Sequence, residues 1–238
     1  MSAILITGAS AGIGRALTVY LVNAGHTVWG IARNEQKLKE LAAGFKQGSF
    51  YYTACNVGRA QDMFNLKTQM NASGFLPDIL ILNAGVTSQV AVENRKTNYE
   101  GVINTWNAFK SDLQKRGGEI AVSGSLFGLV PAPFNPSYSQ SKLDALNFIK
   151  EISSLKENQA VKFKYFVLGP VNTVPGNTLP WWQSLIIPSP EKTAIYITKH
   201  LGGAGLINIF PLSSKVIILL NALLPKAVMN RIMTFLKR

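Results

Sequence analysis

Thr7-Gly8-Ala9-Ser10-Ala11-Gly12-Ile13-Gly14 follows the apolar run Ala3-Ile4-Leu5-Ile6 and leads into a helical pattern over residues 13–23. A short apolar run that stops at a glycine cluster reads as a buried strand. The glycine spacing is G-x-x-x-G-x-G, so the common G-x-G-x-x-G expression misses it. The physics is shared. Glycines permit a tight turn and let backbone N–H groups at a helix N-terminus approach a pyrophosphate. In isolation this stretch equally describes an ordinary strand-to-helix turn. Its place after the first strand of a strand–helix–strand unit favours phosphate binding, with Gly8, Ser10, Ala11, Gly12, Ile13 and Gly14 as the cradle.

Outward from this turn, strand and helix patterns alternate. Further strands are expected at Thr27–Ala32, Ser49–Ala54, Asp78–Leu82, Glu119–Ser123 and Lys162–Leu168, and Phe210-Pro211 would end a seventh. Helices are expected at 13–23, 34–43 with Asn34 as N-cap, 60–71, 91–115 and 137–157. Alternation of this kind demands parallel pairing, because each return to the same edge needs a crossover helix. Right-handed crossovers then give one doubly wound α/β domain, a parallel sheet of about seven strands with helices on both faces. Residues 172–190 are rich in Pro and Gly yet carry Trp181, Trp182, Leu185, Ile186 and Ile187, which reads as a lid or a packed excursion.

The composition narrows the function. One cysteine, Cys55, excludes a disulfide framework, and two distant histidines, His26 and His200, argue against a metal site. Hydrophobic content of 47% with 15% charged residues excludes disorder. No apolar run reaches the ~20 residues of a bilayer span, and the N-terminus lacks signal-peptide architecture, so a cytoplasmic chain is expected. The net charge of +12 is uneven: Met1–Glu191 contributes +5, while Lys192–Arg238 has seven basic residues and no acid. No nucleic-acid module is recognisable, and no basic element interleaves with stacking aromatics.

Three further features carry chemistry. Arg33 ends the second strand about twenty residues after the glycines. An acid near this position binds a ribose 2′-OH, whereas an Arg accommodates a 2′-phosphate; the plainer reading is a solvated Arg at a helix start. Tyr138 and Lys142 lie four apart on one face of a helix, where an ammonium favours the phenolate and tunes the Tyr for proton transfer. Ser125 ends the fifth strand, where strand C-termini and helix N-termini converge on one crevice. The surrounding Val122-Ser123-Gly124-Ser125-Leu126-Phe127-Gly128 fails the G-x-S-x-G pattern of a hydrolase elbow.

Taken together, these residues resemble the short-chain dehydrogenase/reductase family from residue 3 to about 173. Residues 7–14 look like its cofactor signature, Asn83-Ala84-Gly85 like its Asn-Ala-Gly motif, and Gly169-Pro170-Val171-Asn172-Thr173 like the stretch that passes the nicotinamide. Asn98, Ser125, Tyr138 and Lys142 match the catalytic tetrad in order and spacing. The resemblance implies a Rossmann-type fold with Tyr138 as general acid/base, Lys142 lowering its pKa and holding the nicotinamide ribose, and Ser125 positioning the substrate oxygen. It implies that Asn98 anchors a water in a proton relay, and that Asn56, Val57, Asn83, Ala84, Gly85, Val171 and Thr173 line the cofactor site. It also implies a homodimer or homotetramer. Departures are Leu82 in place of a second Asn, Asn56 in place of an Asp, Ala11 in place of a basic residue, and Gly169-Pro170 in reversed order. NADP rather than NAD therefore rests on Arg33.

The expected function is NADP(H)-dependent hydride transfer to a carbonyl or from an alcohol, with the apolar lid hinting at a lipophilic substrate. The alternatives are an NAD-linked alcohol dehydrogenase and a low-turnover cofactor-binding scaffold at a membrane. In the tail, residues 216–224 are almost continuously apolar, Pro225 interrupts them, and Val228, Ile232 and Phe235 recur at helical spacing among Lys226, Arg231, Lys237 and Arg238. Such an extension, residues 213–238, either packs on its own domain or a second subunit, or lies on an anionic membrane.

Overall fold

The computed structural model describes residues 1–173 and 187–236, with side chains to Arg231. The expected lid residues Trp181, Trp182, Leu185 and Ile186, and the tail side chains from Ile232 onward, lie outside the described residues.

Seven parallel strands form one sheet in the order β3-β2-β1-β4-β5-β6-β7. They are β1 (Ala3–Thr7), β2 (Thr27–Ala32), β3 (Phe50–Ala54), β4 (Ile79–Leu82), β5 (Gly118–Ser123), β6 (Val161–Leu168) and β7 (Ile207–Phe210). The helices are α1 (Gly12–Asn23), α2 (Glu35–Ala42), α3 (Ala60–Ala72), α4 (Ala91–Arg95), α5 (Gly101–Arg116), α6 (Pro136–Ser154), α7 (Pro190–His200), α8 (Leu212–Leu223) and α9 (Lys226–Leu236).

The central strands β1 and β4 are almost wholly apolar because both sheet faces are covered there, whereas β3, β5 and β6 admit Tyr51, Glu119, Lys162 and Lys164. Successive β1 residues serve opposite cores. Leu5 joins Leu80, Ile120, Phe109 and Ile149 under α5 and α6. Ile4 and Ile6 join Leu17, Leu21 and Ile197 under α1 and α7. The chain order reverses between β1 and β4, so a crevice opens beyond the C-terminal ends of these strands, where α/β sheets bind ligands.

Two sequence expectations need correction. The single helix expected over 91–115 is broken by a π-turn at Lys96–Glu100, and Asn98 sits within it. Such turns insert one residue into a helix and gather at functional sites. The sequence reading also passed over α7, although Ser189 caps it by accepting from the Lys192 amide and Pro190 opens its first turn, a readable start signal.

Candidate active site

A cleft of about 670 Å³ lies at the strand order reversal. Its cofactor-side wall carries Gly8, Ser10, Ala11, Gly12, Ile13, Arg33, Asn56 and Val57, then Asn83, Ala84 and Gly85, with Val171 and Thr173 opposite. Ser125, Tyr138 and Lys142 line the same cleft, whereas Gly14 and Asn98 lie behind its wall.

The glycine turn is held by packing that only glycine allows. Gly8 has φ +72°, and a Cβ there would meet the Ala84 backbone at 2.9 Å. A Cβ on Gly14 would stand 2.1 Å from the Gly8 carbonyl oxygen. The Ala84 amide donates to Thr7 Oγ1 at 2.9 Å, which ties the Asn-Ala-Gly segment to the turn. Helix α1 starts after Ala11 with no side-chain cap and no acid in its first turn. Its N-terminal N–H groups and positive dipole end therefore face the cleft uncompensated, as an anion requires. Arg33 is exposed at the cleft edge and forms no ion pair among the described residues. Asn56 Oδ1 accepts from the Gly58 amide at 3.0 Å, which shapes the turn after β3. These features fit a dinucleotide whose pyrophosphate rests on the glycine turn.

At the other end, Ser125 and Thr87 are polar neighbours of the Tyr138 hydroxyl. Burial raises the Tyr138 pKa above its ordinary value, and the polar Ser125 and Thr87 side chains oppose this. The lowering by Lys142 expected from the helix spacing is not among the causes; the ammonium stands 6.0 Å from the Tyr138 ring centre. Lys142 is buried, and desolvation brings its pKa down to about 8. Its Nζ donates to the Ser123 carbonyl at 3.2 Å, and its own carbonyl accepts from Tyr165 Oη at 2.8 Å. Tyr165 packs so tightly beneath Gly124 that a Cβ there would lie 2.1 Å from its ring.

Asn98 is buried, and its Nδ2 donates to the Val86 carbonyl at 2.9 Å and to Ser141 Oγ at 3.0 Å, while Oδ1 accepts from the Val86 amide at 2.8 Å. Both amide protons are thus taken by protein groups, which leaves one Oδ1 lone pair for the expected water. Gly85 separates Asn98 from the cleft: a Cβ on it would be 3.2 Å from Asn98 Oδ1 and 3.3 Å from Lys142 Nζ.

Several residues escaped the sequence reading. Thr87 lines the cleft beside Tyr138, and Phe127 and Phe134 pack edge-to-face at 5.3 Å in the same cleft. Asn135 caps α6 by accepting from the Tyr138 amide at 3.1 Å and donates to the Ser88 carbonyl at 2.9 Å. Buried Asn94 donates to the same carbonyl at 2.7 Å and to Ser137 Oγ at 2.9 Å. This network fixes the N-terminus of α6, and with it Tyr138, against the loop after β4. Asn135 before Pro136 is a recognisable helix start; Thr87 and Asn94 have no sequence pattern that marks them.

The family model for short chain dehydrogenase matches residues 2–182. The chain belongs to the short-chain dehydrogenase/reductase family. Members are NAD(P)-dependent oxidoreductases, and the cleft brings Ser125, Tyr138 and Lys142 together, with Asn98 behind its wall. A 3-oxoacyl-(acyl-carrier-protein) reductase of Rickettsia prowazekii is 31% identical over 159 residues, covering 63% of this chain and 64% of that protein. The chain thus matches under two thirds of that relative's length. An NADPH-dependent 1-acyldihydroxyacetone phosphate reductase of Saccharomyces cerevisiae is 32% identical over 200 residues, covering 79% of this chain and 67% of that protein. A short-chain dehydrogenase of Burkholderia cenocepacia solved with NADP shares the fold at TM-score 0.81 and 19% identity, over 97% of this chain and 96% of that one.

Proposed function

We propose that this chain is an NADPH-dependent reductase of carbonyl compounds, with a lipophilic, acyl-bearing substrate. The observation that carries the reading is a single cleft that brings Ser125, Tyr138 and Lys142 together with the glycine turn. The aromatic wall of Phe127 and Phe134 supports an apolar substrate, and the activities of the Rickettsia and yeast relatives support acyl carbonyls.

The cofactor, when bound, supplies a hydride to the carbonyl carbon. The chain does the rest. Ser125 Oγ and Tyr138 Oη hold the carbonyl oxygen, and Tyr138 gives its proton to that oxygen as negative charge develops there. The Lys142 ammonium, in the same cleft, favours the phenolate left behind. Arg33 would meet the 2′-phosphate, and the α1 N-terminus the pyrophosphate. Asn98, through Val86 and Ser141, keeps the loop and helix that carry these groups in register. Loss of NADPH absorbance against a panel of 3-oxoacyl thioesters and acylated ketones tests the reading; no turnover on any carbonyl would remove it.

Cofactor choice gives a direct expectation. Arg33→Asp removes a charge-assisted contact worth about 1.5–3 kcal/mol and adds repulsion. NADPH affinity should fall by roughly ten- to a hundredfold, with NADH then preferred, measured by fluorescence titration of both cofactors. Equal affinities in the unaltered chain would return the choice to NAD.

The pH profile follows from Lys142. A lysine with lowered pKa is cationic below that value and loses its charge as pH rises through about 8. Tyr138, raised by burial, stays protonated across the same range. Reduction, read as kcat/KM, should therefore be level through neutrality and fall as pH rises past about 8. Lys142→Arg keeps the charge at all accessible pH and should abolish that limb, whatever it does to the absolute rate.

We also infer a closed two-fold assembly through α5 and α6, the pairing implied for the family. Light scattering at micromolar concentration is expected to give a dimer or tetramer rather than a monomer.

A further inference from the structure

Helix α8 is apolar on two opposite faces. Its inner face presents Ser214, Ile217 and Ile218. Ile217 and Ile218, with buried Met229 of α9, pack against Leu126, Phe127 and Val130, the segment that follows Ser125. At its start, Pro211 and Ser214 close on Gly169 at the cleft wall. The outer face holds Leu212, Val216, Leu219, Leu220 and Leu223, at i, i+4, i+7, i+8 and i+11, one stripe along the helix. These are exposed, Leu212 at 73%, Leu219 at 59% and Leu223 at 71%, and Val228 of α9 extends the patch.

An exposed apolar stripe of this size needs an occupant. The charges around it indicate which. Lys215, Lys226 and Arg231 are exposed about the stripe, and residues 192–238 contain no acid. A second copy docking face to face would set this basic patch against itself, because a two-fold interface meets its own residues. An anionic lipid surface supplies both what the stripe lacks and what the lysines lack: hydrocarbon for the leucines and phosphate for the cations. No described helix is long and apolar enough to cross a membrane, so the contact lies in the interface plane.

We propose that the outer face of α8, with the start of α9, docks on an anionic lipid surface. The inner face of the same helix forms part of the wall behind Ser125, so docking brings the substrate side of the cleft close to the bilayer. That consequence rests on the reductase reading; lipid binding itself does not, so the two fail separately.

The test is co-sedimentation of the full-length chain with vesicles of phosphatidylcholine alone or mixed with phosphatidylglycerol. Binding is expected only to the anionic vesicles and should weaken as salt rises. The Lys215→Gln and Lys226→Gln changes should each weaken it by about fivefold, the effect of about 1 kcal/mol per basic residue at such a surface. Leu219→Glu with Leu223→Glu should weaken it tenfold or more, with NADPH affinity unchanged as the measure of an intact fold. If that double variant fails to hold NADPH, the lysine changes decide alone. No binding to anionic vesicles at low salt would overturn the proposal. So would a smaller species for the leucine double variant in light scattering with vesicle binding unchanged, since a second copy would then cover the stripe.

Discussion

Tyr138→Phe should lower turnover by roughly a hundred- to ten-thousandfold, the contribution expected of a positioned general acid, while NADPH affinity stays within a few-fold of its starting value. The ring remains, so its packing against Phe127 remains; only the hydroxyl beside Ser125 and Thr87 is lost. The backbone amide of residue 138 still finds Asn135 Oδ1, so the helix cap is untouched. An effect on turnover with little effect on cofactor binding therefore isolates proton transfer from site assembly. A Phe variant with near-normal rates would move the acid to another group, and Ser125 would be the first to examine.

The second large effect is expected at Gly14. An alanine Cβ there would sit 2.1 Å from the Gly8 carbonyl oxygen and 2.6 Å from Asn83 Nδ2, so turn and helix must separate. Two of the three neighbours are backbone atoms of the phosphate turn itself, which have no side-chain freedom with which to yield. Overpacking of this kind costs about 1–3 kcal/mol or more, and here it falls on the element that cradles the pyrophosphate. NADPH affinity should drop by about tenfold to over a hundredfold, together with a lower melting temperature. Gly44→Ala is the matched control, because its Cβ would meet only the Leu41 carbonyl oxygen at an ordinary 3.5 Å. A Gly14→Ala protein that binds NADPH like the parent would show that the turn relaxes freely.

How much of this was legible beforehand depended on the kind of signal. The central strands stood out because both sheet faces are buried there, so β1 and β4 are apolar runs closed by Gly8 and Asn83. The glycine turn, Arg33 and the Ser125, Tyr138 and Lys142 set followed from spacing joined to strand order. Pro225 gave the break between α8 and α9. The positioning residues were another matter. Thr87, in a loop, and Asn94, on α4, meet partners on distant chain segments, which no periodicity betrays; Asn135 before Pro136 is readable as a helix start, but not as a partner of Ser88. The pKa of Tyr138 was misjudged for a related reason. Sequence spacing brought Lys142 to the same helix face, but not how deeply both groups would be buried, and burial raises the Tyr and lowers the Lys.

The π-turn at Lys96–Glu100 makes the α4–α5 rod a helix with two rotational frames. One frame, that of α5, keys Val102, Trp106, Phe109 and Leu113 into the core. The other, that of α4, keys Asn94 onto Ser88 and Ser137 beside the N-terminus of α6. Each residue advances a regular helix by about 100°, so deleting a single residue between them would straighten the rod and swing Asn94 away from its partners. The hydrophobic core would register almost nothing. A homologue one residue shorter here would align well by its apolar positions and yet be out of phase at its active site.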